Sequence, residues 1–270
     1  MRDFKGQIPA RDPRLLPEGY AQKAVNCDLD TGAIRPLKNM GSGAPQTWAF
    51  VSDVGADFVP ANVSGVDRLL VSGISGYPQA RQGGVSRRWG VVIPETIPTI
   101  AVVGEAEPGA SVSDTVSYCY TFVTAWGEES AISGASMPVD VRPGQHVTLS
   151  NFDVPSYAAS GNDITHIRIY RTASDEAGVA EFQQVMIRTS SPTGAAVWDV
   201  PAGSVPSSAS EVYDSNDSGD SLNDRMGNIQ MTEGWTPPPN DAHSGVEYTN
   251  GVYALLKGKR VFLSVSGYYY

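Results

Sequence analysis

The sequence predicts an all-β protein in which a small β-sheet platform carries an inserted two-sheet sandwich, and three observations lead there. Gly occurs 28 times and Pro 19 times in 270 residues, with Ser, Thr and Val recurring throughout, a mix that favours short strands joined by many turns. Apolar runs such as AFVSDV, RLLVSG and GVVIP are brief, each cut by Gly, Pro, Asp or Ser before it reaches the length of an ordinary helix. The stretch 111–200 alternates in the way that puts successive side chains on opposite faces of a strand. The chain is longer than a common single domain, so two packing units are expected.

Taken in order, the polar opening MRDFKGQIPARDP leads into LLPEGYAQKAVNCDL, DTG and AIRPL, which reads as a turn followed by two short strands. Asp30 and Gly32 supply the turn chemistry between them. NMGSGAPQ, residues 39–46, reads as a loop. From Trp48 to Val103 the brief apolar runs predict a small sheet that ends in a proline-marked linker, VIPETIPTIAVVGEAEPG. In SYCYTFVTAW, Tyr118, Tyr120 and Phe122 alternate with Cys119, Thr121 and Val123, giving one strand an aromatic face. HVTLSNF, with Val147 and Leu149 in phase, THIRIYRT, with Ile167 and Ile169 opposed to His166, Arg168 and Tyr170, EFQQVMIR and AAVWDV follow as further strands. Their roughly ten-residue spacing predicts a sandwich of immunoglobulin or fibronectin type III kind, without the Cys…Trp…Cys pattern of antibody domains. PAGSVPSSASEVYDSNDSGDSLND is polar and acidic and reads as a linker, and the triple proline of GWTPPP as an extended segment. Residues 251–256 return through Lys257, Gly258 and Lys259 into VFLSVSG as a β-hairpin.

Charge and composition narrow the function classes. With 29 acidic against 19 basic residues the formal charge is −10, which argues against a surface built to grip a phosphate backbone and leaves DNA as a neighbour that an acidic wall repels. Cys27 and Cys119 are far apart and form neither a disulfide framework nor a paired metal motif, so both read as small buried side chains in a protein that folds in the cytoplasm. The N-terminus lacks the apolar run of a secretory signal, and no apolar stretch approaches the roughly 18 residues of a membrane helix, so membrane insertion is not expected.

Each chemical motif is weaker than its structural reading. Asp214, Asn216, Ser218 and Gly219 fall on the first, third, fifth and sixth positions of a calcium loop, but Arg225 stands where the bidentate Glu belongs, so a solvated linker is favoured and no metal is expected. Gly41 and Gly43 begin a glycine-rich phosphate motif that Gln46 fails to complete. His146, His166 and His243 lack ligand spacing and read as surface or cross-strand residues. No nucleophile-elbow, zinc-protease or phosphate-loop pattern occurs, so neither an enzyme nor a cofactor is expected. Trp48, Trp89, Trp126, Trp198 and Trp235 share no strand face and read as core and interface anchors rather than a stacking platform.

PRLLPEGYAQKAVNCDLDTGAIRPLK, then YTFVTAWGEESAIS with THIRIYRTA, then MTEGWTPPP with TNGVYALLKGKRVFLS, occur in an order and span nearly the whole chain. In that order they resemble the opening, the inserted sandwich and the return segment of the tail-nozzle proteins of short-tailed bacteriophages. The resemblance implies a platform that is a propeller-like remnant, no catalytic residues, and a virion component assembled in the host cytoplasm. Its partners would be copies of itself in a six-fold or twelve-fold ring, together with portal, adaptor or other tail proteins, with DNA passing through unheld. Nozzle proteins continue for several more propeller blades, whereas this sequence reads VFLSVSGYYY and ends; that departure implies a shortened adaptor or collar relative, a protein completed by a second polypeptide, or a fragment.

The expected organisation is therefore an N-terminal docking segment and platform over 1–107, a sandwich over 108–205, and a linker, polyproline segment and returning hairpin over 206–270. The expected function is a structural subunit of a head-to-tail connector or tail nozzle, the alternative being a virion module that binds a host-surface glycan. Exposed apolar residues in irregular segments mark the expected contacts: Leu15, Leu16, Tyr20, Trp235, Pro237, Pro238, Pro239, Tyr268, Tyr269 and Tyr270.

Overall fold

The computed structural model describes residues 56–63, 66–111, 114–174, 180–189, 195–204, 212–215, 226–229, 232, 234–249 and 252–264, with four short strand pieces nearer the N-terminus. Two units divide the chain, Met1–Ala49 and Phe50–Tyr270. In the first, β1 (Gly6–Gln7) pairs in parallel with β2 (Tyr20–Ala21), and β3 (Cys27–Asp28) pairs antiparallel with β4 (Arg35–Pro36).

The second unit is built almost entirely of antiparallel strands, so the chain is an all-β protein. Its first part is a four-stranded meander of β5 (Asp57–Val63), β6 (Val66–Ser72), β7 (Gln79–Gln82) and β8 (Val85–Arg88). Gly83 and Gly84, at φ 54° and 85°, close β7 onto β8 with two left-handed residues, the turn whose twist matches the flanking strands.

There follow β9 (Thr99–Val103), β10 (Asp114–Val116), β11 (Tyr118–Thr124), β12 (Val139–Val141), β13 (His146–Ser150), the short helix α1 (Tyr157–Ser160) and β14 (Ile164–Ser174). After these come β15 (Ala180–Val185), β16 (Ile187–Arg188), β17 (Ala196–Val197), β18 (Asp199–Pro201), β19 (Val212–Ser215) and β20 (Met226–Ile229). One five-stranded sheet runs β11-β14-β15-β20 with β18 also on β14, and the other runs β17-β16-β19-β13-β9. Tyr118, Tyr120, Phe122, Ile167 and Ile169 from the first sheet meet Val147, Leu149 and Ile187 from the second in one core. Tyr120 stands edge-on to Phe122 and Phe152 at centroid distances of 5.7 and 5.1 Å.

Four expectations need correction. The proline-marked linker carries β9, because Ile100 and Val102 turn toward the core while Thr99, Ala101 and Val103 face out; Pro94 and Pro98 precede the strand and do not interrupt it. The acidic linker carries β19, whose Asp214 is wholly buried, and β20 pairs with β15. EFQQVMIR is not one strand: β15 lies in one sheet and β16 in the other, with the crossing at Met186. AAVWDV crosses back at Trp198, from β17 to β18. Strands that change sheet at a single residue stitch the two layers together.

The chain ends its described part with β21 (His243–Thr249), β22 (Val252–Lys257) and β23 (Arg260–Leu263), a three-stranded sheet containing the expected hairpin. Tyr253 and Leu255 pack with Val59, Ala61, Leu70, Ala80 and Trp89 into a second core.

Candidate interaction surface

Two of the expected contact residues line a groove. Trp235 and Pro238 line it with Trp89, Tyr253, Phe262 and Leu263, around a volume of about 210 Å³. Backbone sterics set the proline run in place: Gly90 has φ 88°, and a Cβ there would lie 2.5 Å from Pro238 Cδ and 3.0 Å from Pro237 Cα. Only glycine both adopts that conformation and admits the prolines so closely. Trp235 and Pro237 to Pro239 are consequently half-buried against their own chain. Tyr20 lies in β2, and Leu15, Leu16 and Tyr268 to Tyr270 lie outside the described residues.

Between the meander and the two-sheet body sits a cluster of cations and aromatic carbon. Trp126, just past β11, has the Arg68 and Arg87 guanidinium carbons 4.6 and 4.2 Å from its ring centroid. Arg68 on β6 also pairs with Glu128 at 3.1 Å, and Arg87 on β8 with Asp163 at 2.7 Å. Burial outweighs the attraction of Arg68, the Thr124 hydrogen bond and Arg87, and the Glu128 carboxyl is pushed up to about 7.

A second ionic group crosses the core of the body. Asp214 on β19 accepts from the Tyr118 hydroxyl at 2.9 Å and pairs with Arg171, which lies directly opposite Tyr118 in the facing sheet. All three are wholly buried. Burial raises the Tyr118 phenol well above its ordinary value, and the Asp214 charge adds to the shift. Burial alone would lower Arg171, but the Asp214 charge and hydrogen bond hold it above its ordinary value. On the outer face Glu129 and Asp199 both bind Arg168, at 2.6 and 2.7 Å, and Glu129 also accepts from Tyr170.

The first position of the calcium motif is thus occupied in a structural ion pair, while Asn216, Ser218, Gly219 and Arg225 lie outside the described residues. Among the described residues no group of three or more His, Cys, Asp or Glu side chains could hold a metal ion. His146, His166 and His243 belong to three different sheets. Among the described residues no helix is long and apolar enough to cross a membrane.

One feature escaped the sequence reading, although its spacing is plain. Ser130, Ser133 and Ser136 recur every third residue, and their hydroxyls accept from the N–H groups of Phe122, Tyr120 and Tyr118 at 2.9, 3.1 and 2.9 Å. The same serines donate their own N–H groups back to the Phe122, Tyr120 and Tyr118 carbonyls. Residues 130–136 therefore seal the outer edge of β11 without forming a regular strand. No family model, curated protein or solved structure matches the chain.

Proposed function

We propose that this protein is a structural subunit of a phage head-to-tail connector or tail nozzle. It forms a ring with copies of itself, docks on portal, adaptor or other tail proteins, and extends the channel through which DNA leaves. The observation that carries the reading is the ordered set of three resembling blocks running nearly the length of an all-β chain. The chemistry of the described residues supports it, since the buried ionisable groups Arg68, Glu128, Arg171 and Asp214 are engaged in ion pairs within the fold. A formal charge of −10 suits a channel component that DNA passes without being held. Assembly in the host cytoplasm and incorporation in the virion tail follow from that role, and the immunoglobulin- or fibronectin III-like character of the two-sheet body belongs to the same reading.

The test is to look for the protein in purified virions by mass spectrometry and to locate it by gold labelling. It is expected at the tail vertex in a fixed ratio to the portal subunit. Particles that assemble complete tails without it would overturn the reading.

A further inference from the structure

Three sheet ends among the described residues are closed by side chains or irregular backbone. The serine ladder seals β11. Beside β8, Tyr157 donates to the Ser86 carbonyl and the Gly161 carbonyl accepts from Arg88 N–H. At the start of β5, Asp57 accepts from Ser244 N–H, and Pro60 removes a donor from the strand. β9 and β23, like β17, β20 and β21, have no strand on their outer side among the described residues.

The β9 and β23 edges also carry exposed apolar side chains. Ile97 and Val103, before and at the end of β9, are 51% and 42% exposed, and Val261 and Leu263 of β23 are 60% and 64% exposed. An open, apolar strand edge is a template for pairing with another chain. Their flanking charges are opposite. Glu95, Glu105 and Glu107 flank β9, whereas Lys259 and Arg260 stand at the start of β23, all of them exposed.

We propose that the chain self-associates head to tail, the β23 edge of one copy adding antiparallel to the β9 edge of the next. The direction follows from the charges. Antiparallel pairing brings the start of β23, with Lys259 and Arg260, to the end of β9, beside the two carboxylates Glu105 and Glu107; parallel pairing would bring the basic pair to the start of β9, beside the single carboxylate Glu95. Ala101 and Val103 then meet Val261 and Leu263 on the outer face as apolar cross-strand neighbours. Because the two edges differ, the contact is heterologous and builds a closed ring or an open filament. The inference rests on the ring reading above for its occupant, a second copy of this chain.

The full chain is to be examined by light scattering and particle imaging at low and high salt. Assemblies larger than the monomer are expected, and Leu263→Lys should reduce them at least tenfold at fixed concentration. The variants Glu105→Lys/Glu107→Lys and Lys259→Glu/Arg260→Glu should each be monomeric. Mixing the two should restore assembly, because each then offers an edge complementary to the other, and this rescue also shows that both have folded. A wild-type chain that stays monomeric, or assemblies indifferent to both reversals, would overturn the inference. Assemblies indifferent to the reversals in a chain present at the tail vertex leave the nozzle reading standing, whereas rescue by mixing in a chain absent from virions removes that reading and keeps the edge pairing.

Discussion

At the scale of single residues, the buried charges decide more than the surface ones. Asp214 and Arg171 are both wholly buried, so removing one charge strands the other in the core. Such a loss typically costs about 3–5 kcal/mol, while replacing both partners with apolar residues of similar size is close to neutral. Asp214→Asn is therefore expected to destabilise by that amount in urea unfolding, and the double variant Arg171→Met/Asp214→Leu by clearly less. Equal losses in the two would sink this account. Glu128 has the opposite logic. Its carboxyl is raised from 4.5 to about 7 in the fold, so the folded protein binds that proton more tightly than the unfolded chain does. Stability from this group is then present below the ordinary carboxylate range and lost as pH climbs from about 4.5 through about 7, on the order of 3 kcal/mol in all. Glu128→Gln should match the wild type at pH 5 and exceed it at pH 8 in thermal melts followed by circular dichroism. A variant less stable than the wild type at pH 8 would mean that the Arg68 attraction prevails over burial.

Among the elements, those with a strict alternation were legible and those held by local chemistry were not. Tyr118, Tyr120 and Phe122 face the core as their spacing requires, and Val147, Leu149, Ile167 and Ile169 join them. The turn at Gly258, φ 61°, closes β22 onto β23 with Lys257 opposite Arg260. By contrast β19 was hidden by composition: a strand bearing an inward Asp reads as linker until the Arg171 that neutralises it is brought from the facing sheet. The sheet crossings at Met186 and Trp198 were hidden for a related reason, since a one-residue change of layer leaves the alternation on either side nearly intact. The groove is half legible: the triple proline announces an extended segment, but Gly90 as its seat depends on a contact across more than a hundred residues of chain. The serine ladder gives an element-scale expectation. Each of Ser130, Ser133 and Ser136 satisfies a β11 N–H, and such a hydrogen bond contributes about 1 kcal/mol net. Replacing all three with Ala should lower stability by about 3 kcal/mol and make the Tyr118, Tyr120 and Phe122 amides exchange with solvent far faster, as read by hydrogen exchange. Unchanged exchange at those amides would show that the edge is closed by something else.

For the whole molecule, the question is whether the meander and the two-sheet body behave as one cooperative body. Their cores are distinct, one gathered around Trp89 and Tyr253 and the other around the β11 aromatics. What joins them is specific: Val91 enters the larger core two residues after Trp89 anchors the smaller, and Arg68 and Arg87 reach from the meander to Trp126, Glu128 and Asp163. Asn162 adds a neutral clasp, accepting from Val92 N–H at 3.1 Å and donating to the Gly90 carbonyl at 3.0 Å. Because Arg68, Arg87, Glu128 and Asn162 are buried in these shared contacts, opening either core exposes groups that the other needs covered, and such coupling is what makes a transition all-or-none. Residues of both cores in the Phe50–Tyr270 unit are accordingly expected to unfold in a single urea transition, with tryptophan fluorescence and far-ultraviolet circular dichroism coincident. Cutting the joint should uncouple them. Trp126→Ala removes the surface on which both guanidinium groups stack, leaving two desolvated cations without it, and should separate the two probes, fluorescence from the Trp89 core changing at lower urea than the bulk strand signal. Coincident curves in that variant would locate the coupling in the chain between Trp89 and Val91 and not in the side chains that bridge the two cores.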